Sequence, residues 1–112
     1  MLIINDSLIL LLILRYRATY KSAPFIDNLI IFASHSLQLE LDEIALMEIL
    51  NSLQERKHIV VQDKKINVSM SFIYYYTEIL QPGDNSLETR EFIERRKIQF
   101  ENQENYKYRE EF

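Results

Sequence analysis

Two hydrophobic periods meet within residues 41–70, LDEIALMEILNSLQERKHIVVQDKKINVSM. Leu46, Ile49, Leu50 and Leu53 recur at helical spacing and make one apolar stripe. Asp42 can cap this helix, and Glu43 suits the positive end of its dipole. Arg56 and Lys57 are expected in its last turn, where cations suit the negative end. The pattern then changes to two short β-rich runs, Ile59-Val60-Val61 and Ile66-Asn67-Val68, separated by Gln62-Asp63-Lys64-Lys65. That spacing predicts a hairpin, although the Asn-Gly or Asp-Gly pair typical of its turn is missing.

Upstream, Asn5, Asp6 and Ser7 offer caps for a first helix over about residues 7–20. Its seven consecutive apolar residues, Leu8 to Leu14, cover every face, because successive side chains step by about 100°. Either this helix is central to the domain or one face meets another chain. Ser22 to Pro24 reads as a linker, with Pro24 suited to the first turn of a second helix ending near Ser34. Phe25, Leu29 and Phe32 form its stripe, widened by Ile26, Ile30 and Ala33, and Ser36 to Leu41 makes the following turn. Ser71 to Leu80 fits a helix or a strand, and helix is preferred because it can pack back on the first helix. Gln81-Pro82-Gly83-Asp84 is the clearest break. It divides a domain at 1–80 from a charged extension at 81–112, which opens with a capping-box spacing, Asn85 to Glu88. Residues 87–112 have helical propensity but an irregular stripe. Ile93 and Phe100 lie one heptad apart, while Phe92, Ile98, Tyr106, Tyr108 and Phe112 do not continue it. The plain reading is a loosely docked or frayed tail, and the sharper one a partner-binding or dimerising arm.

Composition narrows the chemistry. At 112 residues and 47% hydrophobic, the chain suits one small domain with its own core. It has no cysteine, so disulfides and thiolate chemistry are excluded, and its single glycine, Gly83, rules out a Gly-rich phosphate loop. The apolar run at Leu8–Leu14 is far short of the roughly 20 residues that span a bilayer. The opening residues also lack a basic region and a cleavage site, so neither a signal peptide nor a membrane anchor is expected, and a cytoplasmic protein is. His35 and His58 fall in different elements, and no spacing typical of a metal site or nucleophile elbow occurs. No catalytic residue, cofactor, metal or small-molecule substrate is therefore expected.

Nucleic acid is the open question. The hairpin tip carries Lys64 and Lys65, with Arg56 and Lys57 just before it. The outward face of the preceding helix would instead present Glu43, Met47, Glu48, Asn51 and Glu55, of which only Asn51 is a good base reader. Net charge is −4, with seven Lys/Arg against nine Asp/Glu in residues 1–80 and six against eight in 81–112. That balance opposes phosphate binding. The basic cluster Arg95-Arg96-Lys97 reads as a solvated face paired with Glu91, Glu94 and Glu101.

Residues 7–70 resemble the winged helix-turn-helix superfamily. The resemblance is carried by Leu50-x-x-Leu53, by Arg56-Lys57-His58-Ile59-Val60-Val61 and by the return strand Ile66-Asn67-Val68, with His58 where that motif commonly has Gly. The chain is more distantly similar to the small middle subunits of bacterial three-component ATPase-linked systems. The resemblance implies a mainly α fold with a small β-hairpin, followed here by a C-terminal helical extension. It admits three functions. The first is a non-catalytic protein-interaction module, a dimer or a subunit of a larger assembly. Its partner interface is expected at Leu8, Leu11, Leu12, Phe92, Ile93, Phe100, Tyr106 and Tyr108. The second is a DNA-binding transcription regulator using Asn51, Arg56, Lys57, Lys64 and Lys65. The third is a phage or mobile-element inhibitor that covers a partner's surface.

Overall fold

The first helix is the axis around which the other elements are laid. The computed structural model describes residues 2–70, 72–73 and 86–111, with side chains described as far as residue 102. Among them are four helices, α1 (Asp6–Tyr20), α2 (Ile26–Leu37), α3 (Glu43–Glu55) and α4 (Thr89–Glu111), and a hairpin of β1 (Ile59–Gln62) and β2 (Lys65–Val68). The fold is mainly helical with one small two-stranded antiparallel sheet.

Asn5 starts α1 by accepting the Leu8 N–H on its side-chain oxygen at 3.0 Å. Residues 8–13 are all fully buried, enclosed by α2, α3 and α4. Of the two readings of Leu8–Leu14, the central helix is the one found: this chain supplies the cover. Leu8, Leu11 and Leu12 are thereby corrected from partner-interface candidates to core residues, since no surface of them is left for a second chain.

Pro24 is not in α2. Its carbonyl accepts from the Ile66 N–H at 2.8 Å, while the Ile26 N–H donates to Lys64 O at 2.9 Å. Phe25 thus pairs with Lys65 as a one-residue bridge and stays exposed, leaving Ile26, Leu29, Phe32, Ala33 and Leu37 as the buried face of α2. The helix runs three residues past the expected end, to a left-handed cap at Gln38.

In α3 the Asp42 cap forms as expected, accepting from Ala45 N at 3.0 Å, and Leu46, Leu50 and Leu53 are buried. The helix closes at Glu55, so Arg56 is the cap and Lys57 lies beyond the last turn. The Lys57 N–H donates to Gln54 O and the His58 N–H to Leu53 O, the paired bonds of a Schellman closure. That closure needs a left-handed residue, and Lys57 supplies it with φ 64°. The glycine-like position is therefore Lys57, one residue before His58.

Asp63 and Lys64 form the hairpin turn, both with positive φ, as a two-residue type I′ turn requires. The strands extend one residue further than expected, to the pair Gln62 and Lys65. Gln54 Oε1 accepts the Val61 N–H at 3.0 Å and so occupies a donor on the free edge of β1. Because glycine carries no Cβ penalty at positive φ, Lys57→Gly or Lys64→Gly will each raise stability by about 0.5–1 kcal/mol. Urea midpoints measure this, and an unchanged or lowered midpoint contradicts the strain argument.

A helical turn starts at residue 70, with the Phe72 N–H donating to Ser69 Oγ at 3.3 Å. The rest of the expected 71–80 helix, the break at 81–84 and Asn85 of the capping box lie outside the described residues. The extension beyond them is not a loose tail as far as residue 101. Phe92, Ile93 and Phe100 are at most 2% exposed and belong to the same core as α1. These three candidates are likewise corrected from a partner interface to the core. Arg15 stacks its guanidinium over the Phe92 ring at 5.2 Å and donates to Leu87 O. Arg90 donates to Leu37 O and to Gln38 Oε1, closing the C-terminus of α2. At the other end, Lys97 Nζ donates to Ile3 O at 3.0 Å and Asn5 Nδ2 to Glu101 Oε1 at 3.3 Å. These contacts set α4 antiparallel to α1.

Candidate functional site

Two surfaces of the described residues bear on partner binding. The first is the α3–hairpin face. Asn51 is exposed, and its Oδ1 accepts from Gln54 Nε2 at 3.4 Å. Glu43, Glu48 and Glu55 flank it, all exposed, with Ile44 73% exposed among them. Met47, expected on this face, is instead partly buried against the core. Arg56 turns inward to Asp6 at 3.2 Å, and Asp6 also accepts from Ser52 Oγ at 2.8 Å. That junction joins the end of α3 to the start of α1, so Arg56 serves the fold. Lys57, Lys64 and Lys65 remain exposed and form no ion pair among the described residues. The structure thus separates the five nucleic-acid candidates: three lysines around the hairpin, Asn51 among carboxylates, and Arg56 tied to Asp6.

The Arg95-Arg96-Lys97 cluster is also divided. Arg95 pairs with Glu91 at 2.7 Å, Arg96 donates to Gln99 Oε1 at 3.4 Å, and Lys97 reaches Ile3. Glu94 lies 4.0 Å from Arg90 and Glu101 bonds Asn5; the Arg95–Glu91 pair is one of the expected pairings.

The second surface was not singled out from the sequence. An open groove of about 310 Å³ runs between the C-terminal half of α1 and the outer side of α2. Tyr16, Tyr20 and Phe32 build its floor. Tyr16 and Tyr20 lie 4.6 Å apart between ring centroids, and Phe32 meets them edge-on at 5.4 and 5.9 Å. Helical spacing explains the arrangement, since residues four apart stack on one face. Ile31 and Tyr20 are each 56% exposed, which is high for side chains of this size in a described core helix. Asn28, His35 and Ser36 add polar groups. Asn28 Oδ1 accepts the Phe25 N–H at 2.9 Å, leaving its NH2 as the donor. An apolar floor with a few polar groups at its edge is the usual composition of a binding groove. The available signal was the Tyr16/Tyr20 pair at i, i+4, polar-tipped aromatics where the apolar run of α1 stops.

His58 packs against the Phe72 ring at 4.8 Å, away from His35. No group of three or more metal-ligating side chains occurs among the described residues. No described helix is long and apolar enough to cross a membrane. The side chains of Tyr106 and Tyr108 lie outside the described residues. No family model, curated protein or solved structure matches this chain.

Proposed function

We propose that this chain is a non-catalytic, cytoplasmic interaction module of winged-helix type that docks another protein chain in the α1–α2 groove. The observation that carries this is the groove itself, an aromatic floor with Tyr20 and Ile31 more than half exposed beside it. Large aromatic and aliphatic side chains around a concave site are the usual anchors of protein association. The helix, helix, turn, helix and hairpin order supports the winged-helix part of the reading. Placing a photo-crosslinking benzoylphenylalanine at Ile31, in the full chain within the cells that make it, tests the groove. One discrete protein adduct is expected, and Tyr20→Ala will remove it. If irradiation yields no adduct, the reading falls.

A second reading, a DNA-binding regulator, is favoured by the exposed Lys57, Lys64 and Lys65 alone. It requires a gel shift that weakens steeply with salt and is abolished by replacing Lys64 and Lys65 with Glu. The carboxylates flanking Asn51 weigh against it and are compatible with the third reading, an inhibitor that mimics nucleic acid.

A further inference from the structure

We infer that a second copy of this chain docks on the α3–hairpin face, the acidic outer row of α3 in one copy meeting the hairpin lysines of the other. This face is distinct from the α1–α2 groove, and the inference does not depend on what the groove holds.

The periods of the two elements build two patches. Ile44, Glu48, Asn51 and Glu55 recur at helical spacing and form the exposed row of α3, with Glu43 beside Ile44. The helix carries three carboxylates, Glu43, Glu48 and Glu55, and no cation. In the hairpin, alternation turns Ile59 and Ile66 into the core and leaves Val60 and Lys65 on the outer face. Those two are diagonal neighbours across the pairs Val60–Asn67 and Gln62–Lys65. Residues 57–68 hold Lys57, Lys64 and Lys65 against one carboxylate, Asp63. Each patch therefore has one exposed aliphatic side chain, Ile44 at 73% or Val60 at 54%, beside charges of one dominant sign. An apolar point with a charged rim is the usual anatomy of a protein contact.

Three observations make the occupant another copy. First, the patches are opposite in sign, and neither is neutralised at home. Among the described residues Glu43, Glu48 and Glu55 form no ion pair, and neither do the three lysines. Second, the patches adjoin. Only residues 56–58 separate α3 from β1, and Gln54 bonds Val61 across the junction. A two-fold axis at the boundary of adjoining patches of opposite sign lays each on its counterpart, so one contact is made twice. Third, Lys57 and Lys64 stand at φ 64° and 65°, where glycine would fit without a Cβ penalty. Backbone strain kept at an exposed cation gives the side chain a task beyond making the turn. A phosphate backbone would be repelled by the carboxylates of this face, whereas a second copy brings the countercharge for both halves.

Sedimentation equilibrium on the full chain at about 50 mM salt tests this, since low ionic strength preserves contacts between exposed charges. The wild type is expected to self-associate, and to do so about tenfold more weakly at about 500 mM salt. Two charge reversals, Glu43→Lys/Glu48→Lys and Lys64→Glu/Lys65→Glu, will each weaken association about tenfold or more, because like charges then face each other. Circular dichroism will confirm that both variants remain folded. Mixed in equal amounts, they will form a 1:1 complex as tight as the wild-type pair, since carboxylates again meet lysines in both contacts. Ile44→Ser will weaken the wild-type pair without changing its charge. A wild type that stays monomeric to millimolar concentration overturns the inference, as does a mixture no tighter than either variant alone. It also falls if the wild type is monomeric but shifts DNA through Lys64 and Lys65. Tyr20→Ala is expected to leave association unchanged. If it abolishes association instead, the copies meet at the groove, which overturns this inference and leaves the groove reading standing.

Discussion

Leu11→Asp will leave no folded protein, rather than a folded monomer released from a dimer. Leu11 is fully buried in the middle of α1, with fully buried neighbours on both sides along the helix. The substitution removes an apolar side chain whose burial contributes about 1.5–3 kcal/mol. It also forces a carboxylate into the hydrophobic core, where an unpaired charge costs several kcal/mol more. A domain of this size has a total stability of about 5–15 kcal/mol, so the combined loss takes most or all of it. Far-UV circular dichroism and a flat urea profile at 25 °C will show this. A soluble, cooperatively unfolding Leu11→Asp protein would mean that α1 carries an exposed face.

The second large effect concerns the other end of the chain. Phe100→Ala will destabilise the whole protein by about 3–5 kcal/mol, the usual cost of deleting a buried aromatic ring. Phe100 is fully buried and meets the Phe72 ring edge-on at 5.7 Å. Because Phe92, Ile93 and Phe100 share one core with Leu8–Leu14, α4 and the rest will unfold in a single transition. Urea denaturation followed by circular dichroism and by tyrosine fluorescence measures both points. A loss below about 1 kcal/mol with noncoincident transitions would restore the loosely docked tail.

How far the sequence revealed this fold depends on whether each residue's environment was local. Leu46, Leu50 and Leu53 were legible as a buried stripe because helix periodicity alone aligns them. Asp42 was legible as a cap because its bond spans three residues. Pro24 and Phe25 were not, because a strand forty residues later bonds the Pro24 carbonyl and the Ile26 N–H, on either side of Phe25. The glycine-like position was placed one residue late, at His58 rather than Lys57, since only the observed closure shows which residue must turn left-handed. The docking of α4 was hidden because Ile93 and Phe100, one heptad apart, mark only two points of a stripe that the later apolar residues do not continue. The cover that α4 gives is completed by Arg15, Arg90 and Lys97, charged residues whose donors reach backbone carbonyls. Among the nucleic-acid candidates, nothing in the sequence indicated that Arg56 would face Asp6, fifty residues earlier. The groove was missed for the converse reason: its aromatics come from two helices that each looked complete alone.

The central position of α1 has a cost during synthesis. The Leu8–Leu14 segment is translated before any of its three covering helices, and the last of them, α4, about eighty residues later. At about 5–20 residues per second, that leaves an all-apolar stretch without its full cover for several seconds on the ribosome. Overexpression will therefore favour inclusion bodies over soluble protein unless growth is slowed or cooled. The same contact that makes the finished molecule cooperative makes its nascent chain a client for chaperones.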